Sequence, residues 1–202
     1  MSQCVGVVDY GAAGNTFSII RALEHAGAEP RVIKGPQDLS NVDKLILPGV
    51  GSFTDGMTEL TASGMAVAVR DWAQAGRPLL GICLGMQILC DVGFEFGETA
   101  GLGLIRGEVR AMHCKGVVPH MGFNRVSVQG NSPLLRGLGD DDHLYFMHSF
   151  EVQNYTNIIG LTEYSGHQFV SAVQRDNVFG VQFHPEKSRE VGIRIFQNYL
   201  SL

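Results

Sequence analysis

The first half of this 202-residue chain alternates short apolar runs with helix-length amphipathic stretches, and that alternation limits the folds open to it more than any other feature. Residues 3–8, 31–34, 44–47 and 78–82 are runs of strand formers. Between them, residues 17–26 set Phe17, Ile20 and Leu23 on one helical face and stop at Gly27, and residues 63–75 read as a helix that stops at Gly76. Another helix is expected from about Leu84 to Asp91. Strands separated by helices run in the same direction, which gives a parallel, doubly wound sheet.

The second half changes character. Short β-rich runs follow one another at 126–128, 144–147, 158–161, 169–174 and 178–183, with Arg175-Asp176-Asn177 as a hairpin turn between the last two. A closing helix from about Ser188 sets Val191, Ile195 and Tyr199 inward. The expected fold is α/β, a three-layer, mostly parallel central sheet with antiparallel additions, in a single domain over 1–202.

Composition excludes several classes. Apolar residues make up 45% and charged residues 17%, which does not suit a disordered or fibrous chain. A net charge of −5 offers no broad surface for nucleic acid. The longest apolar stretch, 78–90, is too short for a bilayer span and contains Gln87, and Met1-Ser2-Gln3-Cys4-Val5 lacks the basic start of a signal peptide, so no membrane association is expected. Cys4, Cys83, Cys90 and Cys114 form no CxxC pair, and a cytoplasmic location is the simplest. His113 and Cys114 adjoin without further ligands at metal spacing, and neither metal nor cofactor is expected.

The sharpest chemical signal is Leu80-Gly81-Ile82-Cys83-Leu84-Gly85-Met86-Gln87. A strand meets a helix at Cys83, with a glycine two positions to either side. That is a nucleophile elbow with cysteine in place of serine. A helix N-terminus favours thiolate, the reactive form. The bland alternative is a buried cysteine between glycines that only pack. Gly180-Val181-Gln182-Phe183-His184-Pro185-Glu186-Lys187 shifts the balance. In extended chain His184 and Glu186 point to one side, so Glu186 can orient the ring while its other nitrogen faces a nucleophile. A third segment, Leu47-Pro48-Gly49-Val50-Gly51-Ser52-Phe53, follows a strand. Amides of Val50 or Gly51, with that of Leu84, can form an oxyanion hole.

At these places the chain resembles the class I, triad-type glutamine amidotransferases. Within them it is similar to the HisH family, the glutaminase subunits of imidazole glycerol phosphate synthase. Matching stretches at 48–53, 81–87, 118–124, 145–150 and 180–188 span nearly the whole chain. The elbow and His184-Pro185-Glu186 mark the class, while His120-Met121-Gly122-Phe123-Asn124 and His148-Ser149-Phe150 point to the HisH family.

The resemblance implies a flavodoxin-like core and a division of roles. Cys83 attacks the side-chain amide of L-glutamine, His184 moves the proton, and Glu186 holds His184. Gly51, Gln87, Glu95, His148, Ser149 and Phe150 fall at positions that hold glutamine, with Phe150 acting through its backbone where tyrosine is common. Ammonia passes to a (β/α)₈ synthase subunit of a heterodimer, which makes imidazole glycerol phosphate and an aminoimidazole nucleotide for histidine biosynthesis. Phe123, Asn124 and Lys187 fall on the partner-facing or gating side. Phe123 replaces the family's usual tryptophan, and Gly11-Ala12-Ala13-Gly14-Asn15 is one residue longer than the usual loop. These departures leave a second pathway open, ammonia supply for amidino sugars of surface polysaccharides. A free-standing γ-glutamyl hydrolase is the remaining alternative.

Overall fold

The computed structural model describes residues 3–11 and 16–202. The longer loop read at Gly11–Asn15 therefore lies, beyond Gly11, outside the described residues. The strands in chain order are β1 (Cys4–Val8), β2 (Glu29–Ile33), β3 (Lys44–Leu47), β4 (Leu79–Ile82), β5 (Val92–Gly93), β6 (Thr99–Ala100), β7 (Glu108–Ala111), β8 (His120–Asn124), β9 (Ser127–Val128), β10 (Leu144–His148), β11 (Phe150–Gln153), β12 (Ile158–Tyr164), β13 (His167–Arg175) and β14 (Val178–Val181). The α-helices are α1 (Thr16–Ala26), α2 (Phe53–Ala62), α3 (Met65–Gln74), α4 (Leu84–Ile88) and α5 (Arg189–Leu200).

The main sheet has the order β2-β1-β3-β4-β14-β13-β12-β9. Its first five strands are parallel and its last three run antiparallel. This is the architecture expected from the sequence. Successive residues of β3 face opposite layers: Leu45 and Leu47 pack among α2, α3 and α4, while Ile46 packs among α1 and α5. Burial on both faces explains why β1, β3, β4 and β14 are continuous apolar runs rather than alternating ones, while the edge strand β2 is not.

Several local expectations are corrected. A helix, α2, fills the stretch between the 48–53 segment and α3 that sequence reading had left unassigned. Its signal was legible: Ser52 caps the helix by accepting from the Asp55 amide, and the Ser52 hydroxyl donates to the Asp55 carboxylate. The helix after the elbow stops at Ile88 instead of Asp91, where the carbonyls of Ile88, Leu89 and Cys90 accept amides of residues 102–105 instead of those of a next helical turn. On α1 the buried residues are Ile19, Ala22 and Leu23, whereas Phe17 is exposed. The short strands β5 to β8 build two side sheets, β11-β7-β5-β6 and β10-β8, that wall the C-terminal edge.

Candidate active site

The site sits where three neighbouring parallel strands end. Leu47 of β3 stands opposite Gly81 of β4, and Ile82 of β4 opposite Val181 of β14. Parallel neighbours run about 4.8 Å apart. The segments that leave these strands, Pro48-Gly49-Val50-Gly51, Cys83 and Gln182–Glu186, therefore emerge side by side at the carboxyl edge, the usual place for a site in an open α/β sheet.

The elbow is sharp and tightly packed. A Cβ on Gly85 would lie 1.8 Å from the Leu47 carbonyl oxygen, and one on Gly81 2.7 Å from the Met86 nitrogen. Cys83 itself has φ 53° and ψ −110°, a conformation that costs on the order of 1–3 kcal/mol. The Cys83 amide donates to the Val181 carbonyl at 2.8 Å, and the Gln87 amide to the Cys83 carbonyl at 3.1 Å, which hold the turn.

His184 Nδ1 lies 2.8 Å from Glu186 Oε1, with both side chains essentially without solvent contact. Pro185 excludes helical geometry at His184, whose backbone is extended. The pairing is reached by a different route from the one expected: residues Pro185–Lys187 form a short 3₁₀ turn rather than extended chain. The His184 backbone is pinned by its amide donating to the Tyr145 carbonyl and its carbonyl accepting from the Ser188 hydroxyl. Burial alone pushes the His184 imidazole down, but the Cys83 sulfur and the Glu186 carboxylate outweigh it and raise its pKa to about 10. With Nδ1 committed to Glu186, Nε2 is the ring nitrogen left to meet the Cys83 sulfur.

A cavity of about 270 Å³ opens beside Cys83. All the positions expected to hold glutamine border it: Gly51, Gln87, Glu95, His148, Ser149 and Phe150, together with the oxyanion candidates Val50 and Leu84. Pro119 and Met147, which sequence reading did not single out, complete the wall. Glu95 is anchored by accepting the Phe53 amide at 2.7 Å, which ties the pocket to the start of α2. The Phe150 carbonyl accepts from Gln87 Nε2 at 3.1 Å and pairs with His148 Nδ1 at 2.8 Å, so its backbone joins the two site residues.

His148 and His120 form a neutral pair. The Phe150 carbonyl can only accept, so His148 carries its proton on Nδ1 and accepts at Nε2 from His120 Nδ1, 3.2 Å away. Burial is the main cause that pushes His148 down to about 3 and His120 down to about 4. Both bases stay uncharged at neutral pH, with His148 lining the cavity and His120 bonded to it.

Two buried residues were missed by sequence reading. Gln182 lies between Gln87 and Cys83, donating to the sulfur at 3.6 Å. Tyr10 donates its hydroxyl to the Pro48 carbonyl at 2.6 Å and so latches the 48–51 segment. Nothing but a polar residue next to a motif marked Gln182 in the sequence, and a Tyr after a strand is usually core.

The residues read as partner-facing lie together at the same edge. Phe123 is exposed and packs edge-on against Tyr145, with ring centroids 5.3 Å apart. The Lys187 ammonium sits 5.9 Å from the Tyr145 ring, and the Arg189 guanidinium 5.0 Å from that of Phe123. Asn124 donates to the Glu163 carbonyl. Among the described residues no group of three or more His, Cys, Asp or Glu is arranged to hold a metal ion, and no helix is long and apolar enough to cross a membrane.

Comparison with known proteins bears on this geometry. The family described as glutamine amidotransferase class-I matches residues 6–201. The imidazole glycerol phosphate synthase subunit HisH of Wolinella succinogenes is 46% identical, covering 98% of this chain and 99% of its own. That of Geobacillus thermodenitrificans is 46% identical over 98% and 95%, and subunit HisH 1 of Campylobacter jejuni 39% identical over 98% and 100%. Among solved structures, one titled as a glutamine amidotransferase superposes with a TM-score of 0.77 over 98% of this chain and 99% of its own, at 21% identity. PurLQS from Thermotoga maritima gives 0.78 over 100% and 99%, at 23%. These two show likeness of fold.

Proposed function

The chain belongs to the class I glutamine amidotransferases and, among them, to the HisH family of imidazole glycerol phosphate synthase subunits, and on that premise we propose how its residues divide the work. It is the glutaminase subunit of the synthase in histidine biosynthesis, splitting glutamine to glutamate and ammonia. The observation that carries the assignment of roles is that the buried His184 ring bonds Glu186 through Nδ1 and interacts with the sulfur of Cys83, which itself lines the pocket.

In the first half-reaction the Cys83 thiolate attacks the δ-carbonyl carbon of glutamine. The carbonyl oxygen gains the negative charge and is met by amides of Leu84 and of Val50 or Gly51. His184, protonated as its raised pKa of about 10 favours, gives its proton to the amide nitrogen, and the C–N bond breaks to release ammonia. A glutamyl thioester on Cys83 remains. In the second half-reaction the now neutral His184 takes a proton from water, the hydroxide adds to the thioester, and the C–S bond breaks to give glutamate and thiolate. Glu186 fixes the working tautomer throughout. Gly51, Gln87, Glu95, His148, Ser149 and the Phe150 backbone hold the amino acid.

Ammonia then passes to a (β/α)₈ synthase subunit, with the whole chain acting as one glutaminase domain of a heterodimer. The exposed cluster of Phe123, Tyr145, Lys187 and Arg189, with Asn124 beside it, suits that contact because aromatic and guanidinium groups dominate interface anchors. The test is Cys83→Ser in the complex. Synthesis fed with glutamine is expected to vanish while synthesis fed with ammonium salts persists. Loss of both, or retention of both, overturns the assignment.

A further inference from the structure

The buried amide of Gln182 is used by none of the steps above, yet it touches the atom that reacts. Its solvent exposure is 0%. Gln87 Nε2 has two N–H groups, and both are spent: one on the Phe150 carbonyl at 3.1 Å, the other on Gln182 Oε1 at 2.9 Å. A backbone carbonyl only accepts, so the first bond fixes which end of the Gln87 amide is nitrogen. That nitrogen can only donate, so the end of Gln182 facing it must be oxygen. The other end of Gln182, its Nε2, is thereby turned to Cys83 Sγ at 3.6 Å. A flipped Gln182 would set its N–H groups against those of Gln87, so the Gln87 contact fixes its orientation.

We propose that Gln182 supplies a fixed N–H to the sulfur of Cys83, stabilising it as nucleophile and again as leaving group when the thioester is hydrolysed, and that Gln87 is the positioning residue that sets the polarity of this relay. A donor of this kind acts on charge that is present on sulfur before attack and returns when the C–S bond breaks, and it needs no reorganisation during the reaction. Because Gln87 Nε2 is saturated within the protein, Gln87 meets glutamine through its oxygen. The inference rests on the proposed role of Cys83 as nucleophile.

The test is Gln182→Met, which keeps the length of the side chain and removes the donor. Site-resolved alkylation of Cys83 by iodoacetamide is followed across pH in the full chain, alongside thermal melting and glutamine hydrolysis in the complex. The other titratable groups acting on this corner stay in place: His184 with Glu186 behind it, Tyr10, and His148 beside His184. The pH midpoint of alkylation is expected to rise by about one unit, with kcat lowered roughly tenfold and KM little changed. Gln87→Met frees the Gln182 amide to rotate and is expected to move the midpoint the same way by less. It also decides the matter should Gln182→Met fold poorly. An unchanged midpoint in the folded variants, with Cys83 reactive as before, overturns the relay and leaves the glutaminase assignment standing. Failure of the unaltered Cys83 to react with a glutamine-mimicking electrophile, even in the complex, overturns that assignment itself.

Discussion

Ile82 and Val181 stand as register partners across the parallel pair β4–β14, and one residue beyond them the chain departs to Cys83 on one strand and to Gln182 on the other. Residues 99 apart in sequence are thus delivered to one point by the sheet's own spacing, before any side chain contributes. His184 follows on the same exit, and the Tyr145 carbonyl receives its amide. The Cys83 N–H bonded to Val181 closes the corner at backbone level. The reacting groups are consequently held at the exits of the central parallel strands, and the pocket walls are added by the smaller sheets.

Glu186→Gln keeps the size of the side chain but removes the charge that helps hold His184 protonated. Glutamine hydrolysis in the complex is expected to fall by about 10²-fold or more. The alkaline limb of its pH profile should move to lower pH, because the imidazolium is lost sooner. A profile unmoved on that side would mean that Glu186 only packs.

Stability should be lost on both sides of neutrality, for opposite reasons. His120 and His148 are held neutral in the fold at about 4 and about 3, against 6.5 in the unfolded chain, so unfolding takes up protons between those values and stability falls as pH drops below about 6.5. His184 is the reverse case. Its folded value of about 10 exceeds 6.5, so its contribution is complete below 6.5 and is lost as pH rises toward 10. Chemical denaturation at a series of pH values measures both limbs, and His120→Phe should flatten the acid one.

Gly85→Ala places a methyl 1.8 Å from the Leu47 carbonyl, where only backbone can give way. A loss of more than about 4 kcal/mol or failure to fold is expected, read from denaturant midpoints and soluble yield. A variant as stable as the parent would show that the elbow can open.

Tyr10→Phe removes the hydroxyl that holds the Pro48 carbonyl. A destabilisation of about 1 kcal/mol is expected. The 48–51 segment should also reorient more readily, so the rise in glutamine hydrolysis on adding the synthase subunit should be smaller than in the parent. The parent is expected to be weakly active alone and strongly stimulated by its partner. Equal activity with and without the partner would remove the idea that this segment gates the site.

Much of the molecule was legible in the residues themselves. Strand–helix alternation gives parallel pairing because a crossover returns the chain in the same sense, and the glycines flanking Cys83 mark an elbow because nothing larger fits beneath Leu47 and Met86. What stayed hidden depended on contacts between distant segments. Strands β5 and β6, two residues each, are too short to carry a periodic signal. The sequence marks His148 as a site position but not the neutral pairing that His120 gives it, and nothing along the chain marks Gln182 until Gln87 fixes its polarity. Side-chain chemistry and local turns are properties of sequence. Which end of an amide faces a sulfur, and whether a histidine is charged, are set by burial and by partners that only the folded chain assembles.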